Sequence, residues 1–295
     1  MFLRIGYEFQ FELTTVTPML LMLHAHPEQA HVLQRPEVLR TDPELPVGTF
    51  TDAFGNCCAR LIGQPGKLRI TYDNVAWDPG THEPRIDGQH LHRIEELPDD
   101  VMPYLLGSRY CEVDRLGAVA WDLFGKTPAT WERVQAVMDW VHRNVTFGYK
   151  FARVNKTAYD VWYERKGVCR DFQHLAITLM RALNIPARYA TGYLGDIGVP
   201  ADGLPMDFSA WMEVYLGGRW WTLDARHNTP RIGRVLMARG RDATDVALTT
   251  SFGAAKLEKF LVHMDEVADD LVTPIDSFKM TQPTPPAPSQ VPVAA

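Results

Sequence analysis

Gly167-Val168-Cys169-Arg170-Asp171-Phe172, then Ser209-Ala210-Trp211-Met212-Glu213-Val214-Tyr215-Leu216, a Gly217-Gly218 turn and Arg219-Trp220-Trp221-Thr222-Leu223-Asp224: these stretches decide how the chain is read. The first opens a helix. Phe172, Leu175, Ala176, Leu179, Met180 and Leu183 recur at helical period, and Asn184-Ile185-Pro186 stops the run. The second is a β-hairpin. If its two glycines form the turn, Leu216 faces Arg219 and Asp224 lies opposite Trp211, on the face that also carries Ser209. Asp224 is then diagonal to position 209, roughly 7–8 Å between backbones. A cysteine at a helix start followed by a hairpin ending in aspartate is the chain order of a Cys-His-Asp unit: nucleophile, base, and a carboxylate that orients the base. Ser209 stands where the histidine would be expected.

Cys169 falls in the first turn of its helix. Unsatisfied N–H groups and the positive dipole end there are expected to pull a thiol pKa below its ordinary value of about 8.5. A serine hydroxyl is a negligible base near neutral pH, whereas imidazole titrates near 6.5. His174 lies five positions beyond Cys169, about 140° round the helix, and faces away. His227 follows Asp224 in a turn and is the better substitute, although nothing in the sequence orients it. Ser209 therefore has three readings: a substitution that traps a site active in the parent, a degeneration that leaves a binding protein, or the mark of a different base. The sequence leaves them open.

Outward from this block the character changes. Leu3, Ile5, Tyr7, Phe9, Phe11 and Leu13 alternate with mostly polar residues, and 57–62 and 67–72 read as a hairpin, so residues 1–100 are expected to form an all-β, sandwich-like module. Breakers around Pro98 and Pro103 mark a transition. A helix capped by Thr127 with Pro128 in its first turn, a short one over 158–166 closed by Gly167, and a strand over 187–193 then place a second, α+β domain at 110–270. The Pro-rich residues 273–295 read as a disordered tail.

A net charge of −6 and a pI near 5.9 argue against a nucleic-acid partner. No apolar run approaches the roughly 20 residues of a membrane helix, and Glu8, Gln10 and Glu12 interrupt the start where a signal peptide needs an apolar block. The expected setting is cytoplasmic. Cys57, Cys58, Cys111 and Cys169 make no disulfide framework and no CxxC spacing. His24/His26 and His90/His92 read as exposed pairs rather than metal ligands. No phosphate loop or dinucleotide fingerprint appears, so neither metal nor cofactor is expected.

The block from Gly167 to Phe172, Asn184-Ile185-Pro186-Ala187-Arg188-Tyr189 through Gly192-Tyr193-Leu194, Ala210-Trp211 to Glu213, and Trp220 to Asp224 resembles the bacterial transglutaminase-like family of the papain-like cysteine superfamily. The preceding β segment resembles the N-terminal module that accompanies it. The resemblance implies an α+β core, a Cys-bearing helix packed on an antiparallel sheet, preceded by an all-β domain. It implies Cys169 as nucleophile, Asp224 as orienting carboxylate, and a histidine immediately before Ala210-Trp211, where this chain has Ser209. The chemistry implied is acyl transfer at amide or peptide bonds, by hydrolysis as in a cysteine protease or amidase, or by amide transfer. It would act on a peptide or protein substrate without a cofactor, and with Ser209 this form is expected to be inactive. The alternative is a non-catalytic peptide- or protein-binding module, with Trp211, Tyr215, Trp220 and Trp221 lining a groove. Oligomeric state is not readable from the sequence.

Overall fold

A computed structural model describes residues 1–84, 88–200, 203 and 205–268. The proline-rich stretch 273–295 lies outside the described residues. The amino-terminal strands are β1 (Phe2–Leu13), β2 (Thr17–Leu21), β3 (Arg40–Asp42), β4 (Gly48–Thr51), β5 (Cys57–Gly63) and β6 (Gly66–Trp77). There follow α1 (Val113–Phe124), α2 (Trp131–Asn144), the short β7 (Thr146–Phe147), α3 (Ala158–Glu164), β8 (Lys166–Gly167) and α4 (Cys169–Ala182). Next come β9 (Ala187–Tyr193), β10 (Ser209–Leu216), β11 (Arg219–Leu223), β12 (Val235–Gly240), β13 (Thr249–Ser251) and β14 (Ala255–Val267).

The alternation in β1 does what period two requires: Leu3, Ile5, Tyr7, Phe9, Phe11 and Leu13 are all buried. β1 is flanked by antiparallel neighbours in the order β14-β1-β6-β3, while a second sheet runs β13-β2-β5-β4. The two share one apolar core, as in a β-sandwich. The third sheet, β11-β10-β9-β12, carries α4 on one face, with α1, α2 and α3 around that helix. This is the α+β core expected from the sequence.

Residues 249–267 do not stay with that core. β13 pairs with β2, and β14 pairs with β1 from Phe2↔Val267 to Leu13↔Ala255. The expected 110–270 span thus contains two strands that complete the amino-terminal sheets. Such pairing joins segments more than two hundred positions apart, and no local pattern encodes it. Among the described residues no helix is long and apolar enough to cross a membrane.

Three local expectations change for identifiable reasons. The second helix starts at Trp131, with Thr130 rather than Thr127 accepting the N–H of Glu132. The left-handed residue closing α3 is Arg165, at φ 55, not Gly167. Gly167 is needed for space: a Cβ there would stand 2.5 Å from the Cβ of Asp171. Asp171 in turn accepts the N–H of Val168 and so caps α4 from within its first turn.

Candidate active site

α4 sets the site's floor. Its apolar stripe is only part of its burial, because every residue from Asp171 to Ala182 is buried. Most of the polar members have individual partners, and His174 Nδ1 is buried without one. Gln173 donates to Asp224 and to the carbonyl of Ala210, and accepts the N–H of Ala225. Arg181 donates to the carbonyls of Ala187, Leu106 and Arg241. His174 accepts the N–H of Ala243 and stacks on Tyr110; burial pushes its pKa down to about 3, so it is no proton acceptor at neutral pH.

Cys169 is the first helical residue of α4. It opens onto a cavity of about 560 Å³ whose wall also holds Asp207, Ser209, Arg226 and His227. The expected depression of its pKa does not occur. Burial dominates and the Asp207 carboxylate adds to it, so the thiol is pushed up to about 11 despite the N–H groups of Ala210 and Arg170 and the charge of Arg226. The guanidinium of Arg170 turns to Asp171 and to the carbonyl of Arg153. At rest Cys169 is a thiol and needs a base.

The β10–β11 hairpin has the register read from the sequence, from Leu216↔Arg219 to Met212↔Leu223. Gly217 and Gly218 both have positive φ, 60° and 82°, the geometry of a tight two-residue turn. Beyond Leu223 the ladder stops and the chain leaves the strand. Asp224, 4 % exposed, becomes the hub of a turn closed by the Asn228 N–H on its carbonyl, with Asn228 at φ 51. One carboxylate oxygen accepts from the N–H groups of Arg226 and His227 and from Gln173 Nε2. The other lies 2.8 Å from Nδ1 of His227 and 3.1 Å from an Arg234 nitrogen.

Asp224 thus has an imidazole beside it, on His227 rather than at position 209. The sequence leaves His227 without an orienting partner, and Asp224 is that partner. A carboxylate only accepts, so Nδ1 carries the proton and Nε2 is left as the acceptor. Burial alone would raise the Asp224 pKa, but the His227 hydrogen bond and the Arg234 charge outweigh it and hold the carboxyl far below its usual range.

Ser209 is paired through its backbone to Gly192, and its hydroxyl is buried without a hydrogen-bond partner. Gln173 escaped the sequence reading, although it lies one helical turn from Cys169 on the same side of α4. The aromatic residues offered for a binding groove are occupied elsewhere: Trp211 is buried, Trp220 packs on Tyr104 and Tyr215, and Trp221 donates to the Leu216 carbonyl. His24 and His26 are buried rather than exposed. Among the described residues no group of three or more His, Cys, Asp or Glu stands close enough to hold a metal ion.

The chain matches the Transglutaminase-like superfamily over residues 118–225, a span that includes Cys169, Ser209 and Asp224 and ends two residues before His227. The crystal structure of a candidate cysteine protease from Cytophaga hutchinsonii is 30% identical, covers 93% of each chain and superposes with a TM-score of 0.78. An uncharacterized protein of Mycobacterium leprae is 30% identical over 120 residues, 39% of this chain and 42% of that one. An uncharacterized protein of Mycobacterium tuberculosis is 30% identical over 115 residues, 36% and 37% of the two chains. The chain thus spans about two fifths of the length of these mycobacterial relatives.

Proposed function

The chain belongs to the transglutaminase-like superfamily, and from that premise we propose that it is a cysteine acyl-transfer enzyme acting on amide bonds, with Cys169 as nucleophile, His227 as base and Asp224 as orienting carboxylate. The observation that carries the reading is the 2.8 Å contact of His227 Nδ1 with Asp224, on the wall of the cavity onto which Cys169 opens.

The chemistry follows from the charges. A thiol at about 11 is almost wholly protonated near neutrality, so attack on a carbonyl requires His227 Nε2 to take the proton as the S–C bond forms. Asp224 stays ionised throughout and stabilises the imidazolium. The backbone N–H of Cys169, one of the unpaired donors at the helix start, supports the developing oxyanion. As the C–N bond breaks, His227 returns its proton to the departing amine and a thioester remains. Water then releases an acid, or a second amine forms a new amide, the same imidazole accepting the proton of either. The substrate class is a peptide or protein amide.

Acylation by activated ester and carboxamide probes, followed by mass spectrometry of Cys169, tests this. Wild type should acylate, Cys169→Ala should not, and His227→Ala should lose about 10³-fold or more. Ser209→Ala, and equally Ser209→His, should stay within about tenfold, because Asp224 already holds its imidazole. A chain inert until Ser209→His is introduced would overturn the role of His227. Inert chains throughout would favour the binding-module alternative.

A further inference from the structure

Asp207 lines the same cavity as Cys169 and His227. Its neighbour Phe208 is buried among the rings of Tyr7, Phe9, Tyr193 and Phe260, so the backbone bearing Asp207 is anchored by the core. The carboxyl is largely withdrawn from water. The hydrogen bond it receives comes from the N–H of Phe208, and no cation among the described residues offsets its burial, which lifts its pKa to about 6. Ionised, it also works against the nucleophile by raising the Cys169 pKa. A cation seated beside this carboxylate relieves its hold on the thiol.

Resting on the catalytic reading above, we propose that Asp207 is the specificity determinant of this cleft, and that the acyl group transferred to Cys169 carries a cationic side chain of the ammonium or guanidinium class. Binding such a group neutralises Asp207 and removes its like-charge penalty on the thiolate, so the preference appears in kcat as well as KM. The remaining charges permit this polarity. Asp196, Asp265 and Glu266 also face the cavity, against Arg226 and Arg231, and Arg231 is committed to the carbonyl of Gly195 and to Asp196.

The test compares the 4-nitrophenyl esters of Nα-acetyl-lysine and Nα-acetyl-norleucine on the full chain. At pH 7.5 the lysine ester should be favoured by about tenfold or more in kcat/KM, the scale of one charged hydrogen bond. The His227 and His263 rings also line the cavity, and any effect of pH on the acylation step itself acts on both esters and cancels in the ratio. The ratio should therefore fall toward one as pH drops through about 6 and Asp207 is protonated. Asp207→Asn should hold it near one at every pH, and Asp207→Lys should favour the Nα-acetyl-glutamate ester instead. A lysine preference that survives Asp207→Asn assigns it to Asp196, Asp265 or Glu266 and overturns the proposal, as does equal use of both esters by wild type. If neither ester acylates Cys169, the catalytic reading falls. Calorimetry with Nα-acetyl-lysinamide then decides the matter: binding weakened about tenfold by Asp207→Asn upholds the cation site, and unchanged binding sinks it.

Discussion

At Asp224 one buried carboxylate gathers donors from a helix, a turn and a loop: Gln173 from α4, the N–H groups of Arg226 and His227, the His227 ring and Arg234. Asp224→Asn keeps the volume but sets an amide NH₂ against donors and removes the charge opposite Arg234. Activity should fall by about 10³-fold or more, and stability by about 3 kcal/mol, the scale of a broken buried pair. The pH dependence has a definite sign. Because the folded-state pKa is depressed, the stability Asp224 contributes is full above its unfolded value of about 4 and is lost as pH falls toward the folded value. Urea midpoints at pH 7 and pH 3 should converge between wild type and variant on the acid side; parallel curves would show that Asp224 carries no such linkage. Cys169 and Asp224 were legible in the sequence because each sits in a short motif. His227 was visible but without a partner, since extending the hairpin ladder through residue 224 turned the carboxylate toward position 209. The turn that redirects it depends on the left-handed Asn228, and Gln173 finds its partner only 51 positions away.

At the scale of elements, α4 and the hairpin were readable because hydrophobic period and turn glycines are local signals. α1 was not, since Trp121 and Leu123 are exposed beside the buried Leu116, Ala120 and Phe124 and blur its stripe. The start of α4 is also a tight place. Gly167 lies against Asp171, whose carboxylate caps Val168 at 3.0 Å. Gly167→Ala should displace that turn, costing about 1–3 kcal/mol as an overpacked site does. Cys169 is on the displaced turn, so its acylation rate should fall as well. Melting temperature and acylation rate measured on the same variant check both, and a loss of neither would mean that Asp171 moves aside freely.

Over the whole molecule, the amino-terminal sheets and the sheet β11-β10-β9-β12 are not independent bodies. The cluster that holds Leu3, Ile5 and Phe9 also holds Tyr193, Phe208, Val235 and Met237. β14 adds Val262 and Met264 to it, and Met264 sulfur accepts the N–H of Gly195 on the rim of the cavity. The opening strand was legible from its alternation, but its pairing with residues 255–267 was not, because strand partners more than two hundred positions apart leave no local trace. The shared core predicts one cooperative unfolding transition rather than two. Phe208, 5 % exposed among four other rings, is the place to test it. Phe208→Ala should cost about 3–5 kcal/mol, as emptying a buried aromatic site does. Since both sheets lean on this ring, circular dichroism and tryptophan fluorescence should shift together to a lower denaturant midpoint. A split transition, with one probe unmoved, would show that the sheets unfold separately and that the cavity between them is held by the rim contacts alone.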